Sequence, residues 1–377
     1  MLLSSRTLTQ AVTFSLLCSA AAVQALAPAR RATVCNGHAE LCNRSYGTVT
    51  YVGTHDSYAV GVNNLAVNQD HDITTQLNDG VRMLQVQAHV ENGVIKLCHT
   101  SCSLYDGGSL EDYLKTVKKW LDANPNEVLS LLIVNINNAP ASQYDTVFKA
   151  ASVDTLSFAP QSSPLQASAW PTLGSMIDSG KRLVTFLDNQ ADPTTVPYLI
   201  DEFSNIWETA FNVVDPTLFD CSVNRTHGDS STQMYLINHF LDRLVLNQPV
   251  PDVAKANVTN AASGPGSLGA HVDTCVAANT RAPNFLLVDF YEYGGGSVFQ
   301  VAASINKVTY APTSPIATPL PTSSSSSGPS GSSGAGSGSG SGNSGSGNGA
   351  LTISPHQYLA ESLVIILSIA FAVHAVI

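Results

Sequence analysis

Two histidines that follow strand-like runs are the residues of this sequence best suited to acid–base chemistry. His55, with Asp56 beside it, follows a β-rich run that ends at Gly53, and His99 closes the later run VIKLCH. Because an imidazole titrates near neutral pH, one ring can take a proton from a nucleophile while the other gives a proton to a leaving oxygen. Cleavage of a phosphodiester is a reaction that uses such a pair. The alternative is that both are ordinary residues at strand ends.

The elements around these histidines predict an α/β fold, an irregular (β/α) barrel of the TIM type. Strand-like runs alternate with helical patterns, and acidic residues end two later runs, Asp188 after LVTFL and Asp289 after NFLLV. Parallel barrels present catalytic side chains at this carboxyl edge of the sheet. The pattern predicts a strand at 48–53, a helix over 72–79 with Asp72 as its N-cap, a helix over 110–123, a weaker strand at 206–214, a helix over 232–246 and a long loop at 247–273.

The run VRMLQVQAHV predicts a strand with one unusually polar face. Alternation places Gln85, Gln87 and His89 on that face, which in a barrel points into the interior. With Asn135 and Asp188 at the ends of later strands, these residues form the predicted substrate-binding set. His89 either lines the pocket or is a hydrogen-bonded histidine of the interior.

Both ends of the chain differ in composition from residues 32–312, which we assign to the barrel. Residues 1–27 combine a basic residue, an apolar core and terminal small residues, as a secretory signal peptide does. Residues 313–348 form a Ser/Gly-rich linker. Residues 349–377 contain a spacer and an apolar tail, which predicts a GPI-attachment propeptide with Asn348 as the attachment residue. The alternative for this tail is a transmembrane helix.

The cysteines and glycosylation sequons also indicate secretion. Removal of Cys18 with the signal peptide leaves an even number of cysteines, which favours disulfides, although a zinc site is the alternative. Proximity in sequence favours three pairs: Cys35 with Cys42, Cys98 with Cys102, and Cys221 with Cys275. Sequons predict glycosylation at Asn43, Asn224 and Asn257.

The charge of the chain excludes one class of partner. The formal net charge is −11, with 17 Lys and Arg residues and no basic stripe, so we expect no binding to nucleic acid. We expect a monomer that approaches a membrane only through its anchor or through apolar contact.

The segment GTHDSY, followed by GVRMLQVQAHVENGVIKLCHT, a helix and a buried strand, resembles a known family. It is similar to the X-region of the phosphatidylinositol-specific phospholipase C superfamily, and most of all to its secreted phospholipase C-like phosphodiesterases. The likeness covers residues 48–137, and DFY at 289–291 fits a last barrel strand. It implies that His55 is the general base on an inositol 2-hydroxyl and His99 the general acid for the departing alcohol. It further implies that Asp56 supports His99 and that Asp289 partners His55.

The second strand departs from the family pattern. Metal-dependent relatives carry an E-x-D pair there, whereas this chain has Gln85 and Gln87. A neutral amide is a poor ligand for a hard cation, so we expect no metal and no cofactor. Metal-free relatives carry an arginine at the position of Gln87, and an uncharged amide stabilises phosphate charge less well.

Three functional hypotheses follow. The first is a secreted, GPI-anchored phosphoric diester hydrolase that cleaves a phosphatidylinositol-like head group without metal. The second is a phosphodiesterase for another lipid or for a glycerophosphodiester. The third is a catalytically weak or inactive surface protein that binds a polar head group.

Overall fold

The structure, a computed structural model, describes residues 31–321. The predicted signal peptide, most of the predicted linker, the predicted GPI propeptide and Asn348 lie outside these residues. No helix within the described range is long and apolar enough to cross a membrane.

Twelve strands and eight α-helices make up the described part of the chain. The strands are β1 (Tyr51–Thr54), β2 (Met83–Glu91), β3 (Val94–Cys98), β4 (Asp106–Ser109), β5 (Leu129–Asn135), β6 (Leu183–Leu187), β7 (Leu199–Asp201), β8 (Ile206–Glu208), β9 (Met234–Asn238), β10 (Asp242–Val245), β11 (Gln248–Pro251) and β12 (Phe285–Val288). The helices are α1 (Ile73–Asp79), α2 (Leu110–Ala123), α3 (Ala141–Ala150), α4 (Leu173–Asp178), α5 (Glu202–Asn205), α6 (Ala256–Thr259), α7 (Leu268–Asn279) and α8 (Ser297–Asn306).

Eight of these strands pair in parallel in the order β7-β6-β5-β2-β1-β12-β9-β8. The strands at the two ends of this path, β7 and β8, are separated in the chain only by the short helix α5. The sheet therefore curls into an open, irregular barrel, and the predicted fold class is confirmed. Strand β3 pairs antiparallel with β2, and β4 extends the sheet further by pairing antiparallel with β3.

The first two helices lie where predicted, and the predicted cap of α1 is present. Asp72 caps α1 by accepting a hydrogen bond from the backbone N–H of Thr75, and Gly80, at φ 120°, ends that helix. Ser109 caps α2 in the same way through the N–H of Asp112. Both helices therefore begin at a short polar side chain that satisfies a free N–H of the first turn.

Three predictions for residues 206–273 are wrong or incomplete. The predicted helix over 232–246 is two strands, β9 and β10, and the predicted strand at 206–214 is limited to β8. The predicted loop at 247–273 contains β11, α6 and the start of α7. The run MYLIN of β9 is buried between β8 and β12, and a short apolar run of this kind does not distinguish helix from strand.

Alternating side chains separate two apolar layers. Leu84 and Ile133 pack in the layer between the sheet and the helices, whereas Met83, Leu132 and Phe285 pack in a second cluster. Because Met83 shares a strand face with Gln85 and Gln87, this second cluster fills the base of the barrel interior and the amides lie above it. The polar site thus rests on an apolar floor.

The three predicted disulfides are all present: Cys35–Cys42, Cys98–Cys102 and Cys221–Cys275. The three predicted glycosylation residues, Asn43, Asn224 and Asn257, are exposed.

Residues beyond 312 also contact the barrel. The backbone N–H of Leu320 donates to Asp70, and that of Ala317 donates to Asp79. The chain therefore packs against the elements near α1 as far as the end of the described range.

Candidate active site

His55 is held at the end of β1 by a carboxylate from the neighbouring strand. Its Nδ1 lies 3.0 Å from Oδ1 of Asp289, the residue that follows β12. Its ring stacks on Phe240, with centroids 3.9 Å apart and planes within 5°. These contacts fix the ring and direct Nε2 away from Asp289, which is the orientation that a general base needs.

Asn68 and Gln69, in the loop before α1, complete the support of this pair. Asn68 Nδ2 donates to both oxygens of Asp289, at 3.1 and 3.2 Å. Gln69 Nε2 donates to the carbonyl of His55 at 2.9 Å. No role was predicted for either amide, because Asp289 and Val288, which accept their hydrogen bonds, are more than 200 residues away in the sequence.

Asp56 lies between the two histidines. Its Oδ2 is 3.8 Å from Nε2 of His55 and 3.8 Å from Nε2 of His99. Gln87 Nε2 donates to the same oxygen at 2.8 Å, and Gln85 Oε1 accepts the backbone N–H of Asp56 at 2.6 Å. The two amides of β2 therefore hold Asp56, whose φ of 39° is unusual for a non-glycine residue.

His99 reaches the same space from the loop after β3. Its Nδ1 lies 2.9 Å from the carbonyl of Ala66, which fixes the tautomer that leaves Nε2 free toward Asp56. The Cys98–Cys102 disulfide closes this loop. The side chains of His55 and His99 are 16% and 15% exposed, so both remain accessible to a small ligand.

The surrounding carboxylates set the charge of His55. Burial opposes the charged ring, but Asp289, Asp56 and Asp242 outweigh it and raise the pKa of His55 to about 9. Burial, reinforced by Asp289, raises the pKa of Asp242 to about 7. His55 therefore carries a proton at neutral pH in the free protein and gains the capacity to act as a base as the pH rises.

His55 and His99 line a cavity of about 740 Å³, and Asp56 and Asp289 contact these histidines without lining it. We call the side with His55, Asp56, His99 and Asp289 the near wall. The cavity also has a far wall, which we define as Asp188, Glu202, Glu208 and Arg225. The apolar floor includes Leu132 and Leu287.

Most of the far wall was not predicted from the sequence. Asp188 was predicted, and it does line the cavity. Glu208 ends a strand whose extent was uncertain, and Arg225 lies in the connection before β9. Arg225 Nη2 donates to Glu208 Oε2, a pairing between residues of different segments that no local pattern indicates.

Two predicted substrate-binding residues do not reach this cavity. The amide of Asn135 is used locally, donating to the carbonyl of Ala139 and accepting from the N–H of Ala139 and the hydroxyl of Tyr144. His89 is buried where β2 pairs with β3, and its Nε2 has no hydrogen-bond partner among residues 31–321. Both are therefore absent from the residues that line the cavity.

The near wall does not offer a ligand set for a hard cation. Gln85 and Gln87 are committed to Asp56, and an amide that already makes such bonds is a weak ligand for calcium or magnesium. Among residues 31–321, the one group of three close potential ligands is Cys221, His271 and Cys275, and the disulfide occupies both sulfurs.

Comparisons with known proteins agree with this geometry. The family model PI-PLC X, for phosphatidylinositol-specific phospholipase C, matches residues 41–306. PI-PLC X domain-containing protein 1 of Arthroderma benhamiae is 44% identical over 283 residues, which cover 74% of this chain and 92% of that protein. A protein named as an uncharacterized secreted protein of the same organism is 45% identical over 286 residues, covering 73% of this chain and 64% of the relative. The match thus spans less than two thirds of that second relative.

Among solved structures, the phosphatidylinositol-specific phospholipase C of Listeria monocytogenes aligns with a TM-score of 0.49 at 14% identity, covering 69% of this chain and 94% of that one. A variant of the Staphylococcus aureus enzyme aligns with a TM-score of 0.43 at 17% identity, covering 71% and 95%. The family assignment depends on the sequence matches, since the family model covers more than half of the chain and a 44% identical relative is covered over most of its length. The chain belongs to the PI-PLC X-domain family.

Proposed function

We propose that this protein is a metal-independent phosphoric diester hydrolase of the phospholipase C type, acting on a phosphatidylinositol-like head group. The observation that carries the proposal is the convergence of two histidine Nε2 atoms on one oxygen of Asp56. Each ring is oriented from its other nitrogen, His55 by Asp289 and His99 by Ala66. A phosphodiester between the rings meets a proton acceptor on one side and a proton donor on the other.

In this mechanism the neutral His55 Nε2 removes the proton of a head-group hydroxyl next to the phosphate. The resulting oxygen attacks phosphorus, the bond to the lipid alcohol breaks, and the departing oxygen takes the Nε2 proton of doubly protonated His99, which keeps the proton that its Nδ1 donates to Ala66. The product is a cyclic phosphodiester, which water can open while the two histidines exchange roles. Asp56 stabilises the positive charge on whichever ring carries the proton.

We also propose that the protein is secreted and held at the cell surface by a GPI anchor. The sequence of residues 1–27 and 349–377 supports this placement, and a 45% identical relative carries the word secreted in its name. The exposed sequon residues Asn43, Asn224 and Asn257 fit passage through the secretory route.

A second candidate function is head-group binding with little or no turnover. It is favoured by one observation, which is that Arg225, the only arginine or lysine lining the cavity in the described part of the chain, is already paired with Glu208. Without a free cation the transition state loses a stabilising interaction that is worth about 100-fold or more in other enzymes. A third candidate, a diesterase for another lipid or a glycerophosphodiester, uses the same two histidines.

The test is release of inositol phosphate from phosphatidylinositol vesicles by the secreted protein, with and without EDTA. We expect turnover to persist in EDTA and to fall by about 100- to 10,000-fold in His55→Ala and in His99→Ala. His38→Ala, at a histidine outside the cavity, is the matched control and should retain the wild-type rate.

The other outcomes separate the candidates. Turnover that EDTA abolishes would contradict metal independence. Activity only on a different phosphodiester would favour the third candidate. Binding of the head group without turnover on any diester would leave the second.

A further inference from the structure

One short loop, residues 66–71, contacts the supports of both histidines, and we call it the support loop. The carbonyl of Ala66 accepts the Nδ1–H of His99 at 2.9 Å. Nδ2 of Asn68 donates to both oxygens of Asp289, at 3.1 and 3.2 Å. The orientation of the proposed acid and of the partner of the proposed base therefore depends on where this loop lies.

The support loop contacts the C-terminal part of the described chain through Asp70, a carboxylate that is only 4% exposed. Its Oδ2 accepts the backbone N–H of Leu320 at 2.7 Å. At the next position of the loop, Nε2 of His71 donates to the carbonyl of Thr318 at 2.8 Å. We call residues 317–320 the strap. The strap belongs to the predicted linker, yet it packs on the support loop.

A second neighbour of Asp70 is Glu292, in the connection between β12 and α8. Glu292 is fully buried, and no donor group among residues 31–321 bonds to either of its carboxyl oxygens. Its hydrogen-bonding neighbour is the carboxyl group of Asp70. An ionised carboxylate only accepts hydrogen bonds, so two carboxyl groups can bond to each other only when one of them is protonated.

The proton of this pair lies on Glu292 at neutral pH. Burial first, and then the neighbouring Asp70, raise the pKa of Glu292 to about 8. A neutral Glu292 donates its O–H to Asp70, and this bond joins the support loop to the connection that begins with Asp289. The backbone N–H of Phe290 joins the same two segments, since it donates to the carbonyl of Asn68 at 2.8 Å.

We propose that Asp70 is a positioning residue for the two histidines, and that Glu292 and the strap hold it in place. This inference rests on the proposed function, because it assigns residues that position the acid and the base of that reaction. Neither Asp70 nor Glu292 lines the cavity, so both act through the support loop and not on the substrate. Loss of either contact lets the loop leave its place for part of the time, and the histidines are then misaligned.

Two pairs of variants test the two contacts separately at pH 7. Glu292→Leu removes the donor to Asp70, whereas Glu292→Gln keeps a donor in its amide N–H. Leu320→Pro removes the backbone N–H at an exposed position of the strap, whereas Leu320→Ala keeps it.

The first measurement is steady-state kinetics of the full chain on phosphatidylinositol. We expect kcat to fall about tenfold in Glu292→Leu and about threefold in Leu320→Pro, with KM nearly unchanged. The two controls, Glu292→Gln and Leu320→Ala, should keep the wild-type kcat. A control that lost as much activity as its partner variant would contradict the inference, because it retains the donor.

The second measurement needs no turnover. The Nδ1 proton of His99, which is bound to the Ala66 carbonyl, should give an NMR signal protected from exchange with water, and His99→Ala identifies that signal. We expect this proton to exchange about tenfold faster in Glu292→Leu and about threefold faster in Leu320→Pro. It should exchange at the wild-type rate in the two controls.

The exchange rates separate this inference from the proposed function. Faster exchange in Glu292→Leu and Leu320→Pro supports the positioning role even if no diester is cleaved. An unchanged exchange rate in both variants overturns it, whether or not phosphatidylinositol is a substrate. If the buried substitution Glu292→Leu prevents folding, Leu320→Pro decides the outcome, because its side chain lies at the surface.

Discussion

The two walls of the cavity handle buried charge in opposite ways. On the near wall, both oxygens of Asp289 accept hydrogen bonds from Asn68, and Oδ1 also contacts His55. On the far wall, Glu202 Oε1 has no partner among the described residues. The near wall is therefore organised before any ligand arrives, as acid–base catalysis requires. The far wall instead buries a carboxyl group whose pKa is raised, first by burial and then by the neighbouring Glu208.

The largest expected effect concerns the control that Asp289 has over the pKa of His55 on the near wall. Asp289 is the largest of the causes that raise the pKa of His55 to about 9, so Asp289→Asn should lower that pKa. Because the base must be neutral, the wild-type kcat/KM should rise with pH toward about 9, and the variant should reach its plateau at lower pH. Loss of a charged hydrogen bond should also lower the plateau by about 10- to 100-fold.

A pH profile of kcat/KM on phosphatidylinositol measures both effects for Asp289→Asn. A midpoint that stays where it is in the wild-type protein would show that Asp289 does not set the proton affinity of His55. Asp201→Asn, at a carboxylate that caps α5 outside the cavity, is a control for general effects of the substitution.

A smaller effect is expected from the amide that holds Asp56. Gln87→Met keeps most of the side-chain volume but removes the hydrogen bond to Asp56 Oδ2. We expect kcat to fall by about tenfold while KM changes little, because Asp56 acts on the histidines and not on the head group. Steady-state kinetics on phosphatidylinositol separates the two constants, and an unchanged kcat would mean that Asp56 keeps its place without the amide.

The smallest expected effect is on the far wall, where a substitution should stabilise the folded protein. The pKa of Glu202 in the folded protein lies above the ordinary value of 4.5, so the unfolded chain gives up this proton more readily than the folded protein does. The stability of the folded protein therefore falls as the pH rises above 4.5. Glu202→Gln should therefore raise the melting temperature at pH 7 by about 2–4 °C, and this gain should vanish near pH 4. Thermal melts at the two pH values measure it, and a lower melting temperature at pH 7 would show that Glu202 is already satisfied in the free protein.

The sequence by itself determined the elements whose signals are local. The capping residue Asp72 defined α1, the helical pattern over 110–123 defined α2, and alternation defined β2. The even number of cysteines led to disulfide pairs that the structure contains. The GTHDSY segment and the later histidine were enough to indicate the family. Each of these features depends on residues that are close together in the sequence, so residue pattern and spacing are enough to predict it.

Only the tertiary structure decided which side chains meet in the cavity. The far wall combines Asp188, Glu208 and Arg225 from three separate segments, and residues 232–246, predicted as a helix, form strands because β8 and β12 enclose β9. Asn135 illustrates the reverse case, since its place at a strand end suggested a ligand contact but a turn uses its amide. The curled sheet brings together residues that are far apart in sequence, so the partners of a buried charge are set by the sheet and not by the local run.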